Sequence, residues 1–418
     1  MKLCKITVIS ILLSVILLMP QSTLLANDLS SARAVAMGGA HIGLASGVDA
    51  SKYNPANLGF SSHQNNGLEL VGFGASITNN SFSLDDYNKY TGALLTSDDK
   101  QYLLDKIPTE GLATVADIKA SALSVAFGSF VISTEVIGLA DVNLNKDIID
   151  LILNGNTYSD TIEITGSYSE AVAYGSIGLS YGRSIYNYGT RQISIGATLK
   201  FIRGIATEEI VELNGLASTY ANGFVGEGNI IAQTATGGSG YTADIGTALK
   251  LNETYIIGLS VSNIISNISW NINTEEHGYI FAFDSMTIDN SDQDIVASDD
   301  YTIPTGSFKS TLPSTLTIGI AKTNGKLLWA IDWQQGFRQA VGSSSEPCLS
   351  FGLEWNPLKI LPLRTGFASG GNKNSSFSFG SGLNLSAFYL DIAMISGASM
   401  SPYSTKGVNF ALSTGLNF

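Results

Sequence analysis

Three histidines, His41, His63 and His277, are the only side chains in the 418 residues whose ordinary pKa lies near neutrality. A hydrolase of the serine or metal type needs one of them beside Ser and Asp or Asn, or two at fixed spacing. Neither arrangement is visible. His41 and His63 flank one N-terminal stretch, His277 stands in a long polar stretch, and none falls on an alternating segment. They read as solvated or locally hydrogen-bonded imidazoles. Gly38-Gly39 is no phosphate loop, because no Gly-Lys-Ser/Thr follows it. Between Glu275 and Asp300, the spacing Asp289-x-x-Asp292-x-Asp294 offers oxygens to Ca²⁺, but the glycine and final Glu of an EF-hand loop are missing. That stretch reads as a solvated acidic loop. No enzyme, no cofactor and no dedicated metal site are expected.

Composition says what kind of scaffold carries so little chemistry. Only 14% of residues are charged and 44 are Gly, which suits strands with one face in lipid and one in a polar lumen. Met1 to Ala26 reads as a secretory signal: Lys2 and Lys5, an apolar run from Ile6 to Met19, and Leu24 and Ala26 before a cleavage point near Ala26. Without Lys2 and Lys5 the 22 basic residues become 20 against 35 acidic ones, a charge of −15, which argues against a nucleic-acid partner. Cys4 goes with the signal, so Cys348 alone remains and an intrachain disulfide is impossible. No later stretch reaches the roughly 18 apolar residues of a membrane helix, so any spanning falls to strands.

Period-two alternation supplies those strands. It is clearest in the last twelve residues, where Val408, Phe410, Leu412, Leu416 and Phe418 alternate with Asn409, Ser413 and Asn417 and with small residues. Similar faces recur from Gly67 onward, among them Ile193 to Phe201, Tyr255 to Val261 and Leu327 to Trp333. The parse predicts about fourteen strands, an even number as single-chain bacterial barrels have. Short turns near Gly128, Asn187, Asn252, Asn324, Pro357 and Ser386 alternate with long connections at 78–114, 142–160, 205–238, 265–312, 339–346, 370–375 and 396–406. Short turns inside and long loops outside are the habit of outer-membrane barrels. Helical spacing in two long connections, Ser97–Ile107 and Asn145–Leu153, predicts short helices roofing the mouth. Tyr255, Trp329, Trp333, Trp355 and Phe418 are placed near strand ends, where aromatic girdles sit.

Residues 27–62 do not alternate. They contain Ala32-Arg33-Ala34-Val35-Ala36-Met37-Gly38-Gly39-Ala40 and, later, Asn54-Pro55-Ala56, a helix start with Asn as cap and Pro in the first helical position. This order of motifs, after a signal and before a barrel, resembles the FadL-like outer-membrane barrels. That group holds the long-chain fatty acid and hydrocarbon channels and the PorV/PorQ and TraF-like branches, and Met-Gly-Gly-Ala is closer to the latter. The resemblance implies that 27–62 is a hatch in the lumen, carried by Arg33, Met37, Gly38, Gly39, Asn54, Pro55 and Ala56. It also implies that Phe418 is the barrel's assembly signal.

The expected architecture is therefore an all-β, transmembrane antiparallel barrel at 63–418 with long extracellular loops, in the outer membrane of a Gram-negative cell. Its expected partners are outer-membrane lipid and lipopolysaccharide, the barrel-assembly machinery and a small hydrophobic ligand that it binds or transports. The alternative is a PorV/PorQ-like scaffold for an export or surface-attachment complex.

Overall fold

Alternating apolar and small or polar residues can only be buried coherently if each strand turns one face outward and the other inward. In the computed structural model, which describes residues 29–60, 66–156, 161–287, 296–371, 373–397 and 404–418, they do so in a closed cylinder. The signal segment, His63 and the Asp289, Asp292 and Asp294 spacing lie outside the described residues. The strands, in chain order, are β1 (Gly67–Asn79), β2 (Leu112–Phe127), β3 (Phe130–Leu144), β4 (Thr161–Glu163), β5 (Tyr168–Tyr188) and β6 (Arg191–Tyr220). Then come β7 (Gly223–Ala235), β8 (Gly237–Lys250), β9 (Tyr255–Ile272), β10 (Glu275–Met286), β11 (Val296–Pro304), β12 (Phe308–Ser310) and β13 (Thr315–Lys322). The chain ends with β14 (Leu327–Gly336), β15 (Cys348–Leu358), β16 (Leu361–Gly370), β17 (Lys373–Leu385), β18 (Phe388–Gly397) and β19 (Gly407–Asn417).

Fourteen of these, all but β4, β7, β10, β11 and β12, pair antiparallel with their neighbours around the wall. The last strand closes on the first, with Gly67 opposite Asn417 and Thr78 opposite Gly407. Closure leaves no sheet edge in the wall, as a strand structure in lipid requires. The wall is inside-out relative to a soluble protein. Leu199, Phe201, Ile177, Phe127 and Met394 are exposed on the outside, while Ser180, Thr198, Asp244, Asp332, Glu354, Arg364 and Asp391 are buried inside. The short connections all join strand ends on one side, as the sequence rhythm predicts.

The long connections differ from expectation. The stretches 205–238 and 265–312, read from sequence as loops, are largely strand. β6 continues beyond the rim to Tyr220 and pairs there with β7 and β4, and β7 pairs with β10 and β10 with β11. Their residues alternate less cleanly because neither face of this sheet meets a thick core. His277 therefore does lie on a strand, β10. The helices in the loops are Ser97–Lys106 and Lys146–Asn154, close to the expected spans, and a further one, Leu84–Tyr90, begins with a Ser83/Asp86 capping box.

Candidate functional site

The lumen is filled by the chain's own residues 29–60. Helix Ala32–Ala36 lies against β16 to β19, and its small side chains let it approach closely: an added Cβ on Gly380 would stand 2.4 Å from the Ala36 Cβ. Gly38 and Gly39 end that helix with φ of +68° and +85°, and their N–H groups return to Val35 and Ala34 carbonyls. Gly38 sits so close to Gly366 that a Cβ on the latter would be 2.1 Å from its nitrogen. Met37 is wholly buried with Ala40, Leu44, Ala321 and Ala330. Arg33 reaches the wall, its Nε donating to Glu354 Oε2 at 2.8 Å. The same oxygen accepts from Arg364 Nε at 2.8 Å, and Arg364 in turn donates to Asp391.

Asn54-Pro55-Ala56 takes the opposite wall. Asn54 caps the 3-10 turn Pro55–Gly59 by accepting from the Ala56 N–H, and its Nδ2 donates to the Thr247 carbonyl at 3.1 Å. Gly182, Gly196 and Gly246 stand side by side in register on β5, β6 and β8. Built Cβ atoms there would lie 2.4, 2.3 and 2.0 Å from Pro55 O, Pro55 C and Asn54 Oδ1. The glycines form a rail on which the turn is pressed, backbone to backbone. Ser194 donates to the Ala56 carbonyl.

Sequence reading missed several residues that hold this plug. Asp332 on β14 accepts from the backbone N–H groups of His41 and Ile42 at 2.6 and 2.8 Å. Asn57 donates to the Ile42 and Ala45 carbonyls, both at 2.9 Å. Lys52 pairs with Glu69 at 2.8 Å. An acid on the polar side of an alternating strand was the available signal for Asp332 and Glu354; which hatch atoms they meet has no local signature. His41, expected to be solvated or locally hydrogen-bonded, is not solvated: it is fully buried, with Nε2 3.3 Å from Asp49 Oδ2 and its ring edge-on to Tyr53. Phe418 lies past the last strand, exposed, its N–H donating to the Asn66 carbonyl.

The hatch divides the lumen. Beneath it, at the short-turn end, is a polar vestibule of about 400 Å³ lined by Arg33, Asp49, Glu69, Glu354, Arg364 and Tyr389. Above it is a cavity of about 180 Å³, with Lys119, Glu135, Lys200, Ser260, Thr317 and Gln334 on its walls. Higher still, Trp270, wholly buried, packs with Tyr174, Ile202, Ile268, Ala235 and Val341 and stacks on Phe308. Trp270 belongs to the stretch read from sequence as loop.

One flaw interrupts the wall. Ser121 of β2 pairs with Glu135 of β3, and the next pair is Val125 with Ile132, so three residues face two. Leu123 takes φ of +56° in this bulge. Thr134 closes it, its hydroxyl donating to the Ala122 carbonyl and its N–H to Ser124 Oγ. Outside the bulge is an almost wholly apolar recess of about 360 Å³ bounded by Ala122, Thr134, Val136, Ile177 and Phe201. Glu135 borders both this recess and the cavity above the hatch.

The closed fourteen-strand barrel matches the fold of FadL-like barrels, and solved structures share it. The toluene transporter TodX of P. putida aligns at TM-score 0.53 and 14% identity, over 94% of this chain and 99% of that one. The Ralstonia pickettii toluene transporter TbuX aligns at 0.53 and 14%, over 94% and 100%. A deltaS2 mutant of the TodX monoaromatic hydrocarbon channel aligns at 0.54 and 15%, over 94% and 100%. In sequence, a family of unknown function, DUF5723, matches residues 55–236. No curated protein sequence matches the chain.

Proposed function

We propose that this chain is an outer-membrane channel that takes a small hydrophobic compound from the outer leaflet side, through the wall and past the hatch. The likeness to hydrocarbon channels supports the class of solute. The observation that carries the reading is the apolar recess at the β2–β3 bulge, backed by the lumenal cavity at Glu135. An apolar compound dissolved in the membrane partitions into such a recess without crossing the polar sugar layer. The hatch, seated by hydrogen bonds and backbone contact, keeps the lumen from being an open pore. Localisation follows from this reading: the signal is removed near Ala26, Phe418 is read by the assembly machinery, and the wall sits in outer-membrane lipid. Nothing in the mechanism asks for catalysis, and the buried His41–Asp49 pair serves to fold the hatch. The scaffold alternative, an export partner held through the external connections, is not favoured by the likeness to hydrocarbon channels.

The test is uptake of a radiolabelled monoaromatic hydrocarbon by cells whose own channels of this class are deleted. Ala122→Trp fills the recess from the membrane side. Uptake is expected to fall several-fold while the folded, heat-modifiable barrel remains. Unchanged uptake in the filled variant overturns the wall route.

A further inference from the structure

Above the rim, β4, the end of β6, β7, β10 and β11 form a sheet one layer thick, and its two faces differ. Register carries the barrel's outside onto one of them. Phe201 and Arg203 point outward, bulges at Ile205 and at Val211 each shift the phase, and Glu208, Leu213, Gly215 and Ala217 continue the outer face. Their partners on β7 are Thr234, Ile230, Gly228 and Gly226, whose partners on β10 are Glu275, Tyr279, Phe281 and Phe283. The outer face thus carries a row of aromatic rings. Phe224 and Phe283 are stacked with centroids 5.0 Å apart, Phe283 and Phe281 at 5.8 Å with planes 10° apart, and Phe281 and Tyr279 at 5.9 Å.

The row has a floor. Phe281 and Phe283 lean across onto β7, where built Cβ atoms on Gly228 and Gly226 would lie 2.6 and 2.7 Å from their Cζ atoms. No side chain separates the rings from that strand, so they form a strip along the sheet, half-buried, with Tyr279 44% exposed. Polar groups border it: His277, bonded through its two ring nitrogens to Thr234 and Thr302, with Glu275 beyond and Asp300 opposite Tyr279. The other face carries Glu212, whose Oε1 accepts from Asn214 and Asn229, and no ring row on β10.

We propose that this strip is a carbohydrate-binding surface for the neutral sugars of lipopolysaccharide. Position argues for that occupant. Arg203 and Glu208 mark the end of the lipid-facing band, and Gly215 lies beyond them, on the order of 30 Å along the strand from Ile205. The face is continuous with the surface that meets the outer leaflet, so what stands beside it is the leaflet's own sugar layer. Chemistry argues likewise: the C–H face of a pyranose stacks on an aromatic face, and bordering carboxylates and hydroxyls accept from sugar hydroxyls. Glu275 and Asp300 disfavour phosphate-bearing sugars, which selects the neutral outer part of the chain.

The experiment uses full-length protein in detergent and, as probe, the neutral oligosaccharide released from the host's lipopolysaccharide by mild acid, titrated calorimetrically. Saturable binding is expected. Phe281→Ala with Phe283→Ala should weaken it by about tenfold, the size of one or two stacking contacts. Tyr279→Phe keeps the ring face and should bind as the native protein does. Ile280→Ala, on the opposite face, should also leave binding unchanged. Absence of saturable binding, equal affinity in the alanine pair, or equal loss in Ile280→Ala overturns the proposal. So does capture of a protein, in place of sugar, by the strip.

Discussion

Two glycine rails stand in this molecule, and they are filled in opposite ways. Inside the barrel, Gly182, Gly196 and Gly246 receive the backbone of Asn54 and Pro55. Above the rim, Gly215, Gly228 and Gly226 are covered by side chains, Ile164 over the first and Phe281 and Phe283 over the others. The segment pressed on the inner rail is enclosed by the wall, so it satisfies its polar groups on the wall itself, through Ser194 and Thr247. The outer rail faces open surroundings, so rings suffice and their far faces stay available. Missing side chains are thus a seat for backbone in one place and for aromatic rings in the other.

The largest effect is expected at the inner rail. In Gly196→Leu the new Cβ meets Pro55 and Ala56 backbone at 2.3 to 2.5 Å, which cannot yield. Seating the hatch then costs about 3 kcal/mol or more, and the plugged barrel should become a conducting pore in planar bilayers. Native-like conductance in that variant would break the contrast between the rails. At the outer rail the same kind of change should stay local. Gly228→Val pushes Phe281 aside and meets the Asn214 carbonyl. Protease cleavage in 205–287 should rise while barrel melting is unchanged.

Smallest is a pH effect in the loops. Burial alone raises the Asp86 carboxyl, but hydrogen bonds from Lys106 and Ser83 outweigh it and hold the group down at about 2, against an ordinary 3.8. A depressed folded-state pKa gives stability that is full above about 3.8 and lost as pH falls through about 2. Amide exchange in helices Leu84–Tyr90 and Ser97–Lys106 should therefore quicken only below pH 3.8, and Asp86→Asn should remove that dependence.

Sequence made the wall legible because its environment imposes a period of two along every strand, and strand count and the rhythm of turns follow from that. The hatch was legible from motif order, and Asn54-Pro55-Ala56 from capping chemistry. Its partners were not. Gly182, Gly196 and Gly246 are far apart in the chain and become one surface only through register, and Asp332 meets His41 across 291 residues. The projecting sheet resembles loop in the sequence because Gly215, Gly226 and Gly228 interrupt its alternation, although Gly226 and Gly228 make room for Phe283 and Phe281. His277 lies in the same stretch, on β10.

On the proposed route the solute must pass the hatch. Ala36 of the hatch and Ala393 of β18 lie together in one buried cluster, so Ala36→Cys with Ala393→Cys, in a Cys348→Ser background, ties hatch to wall without adding a Cβ at a glycine. Hydrocarbon uptake should stop under oxidation and return on reduction. Undiminished uptake with the disulfide formed would contradict the account.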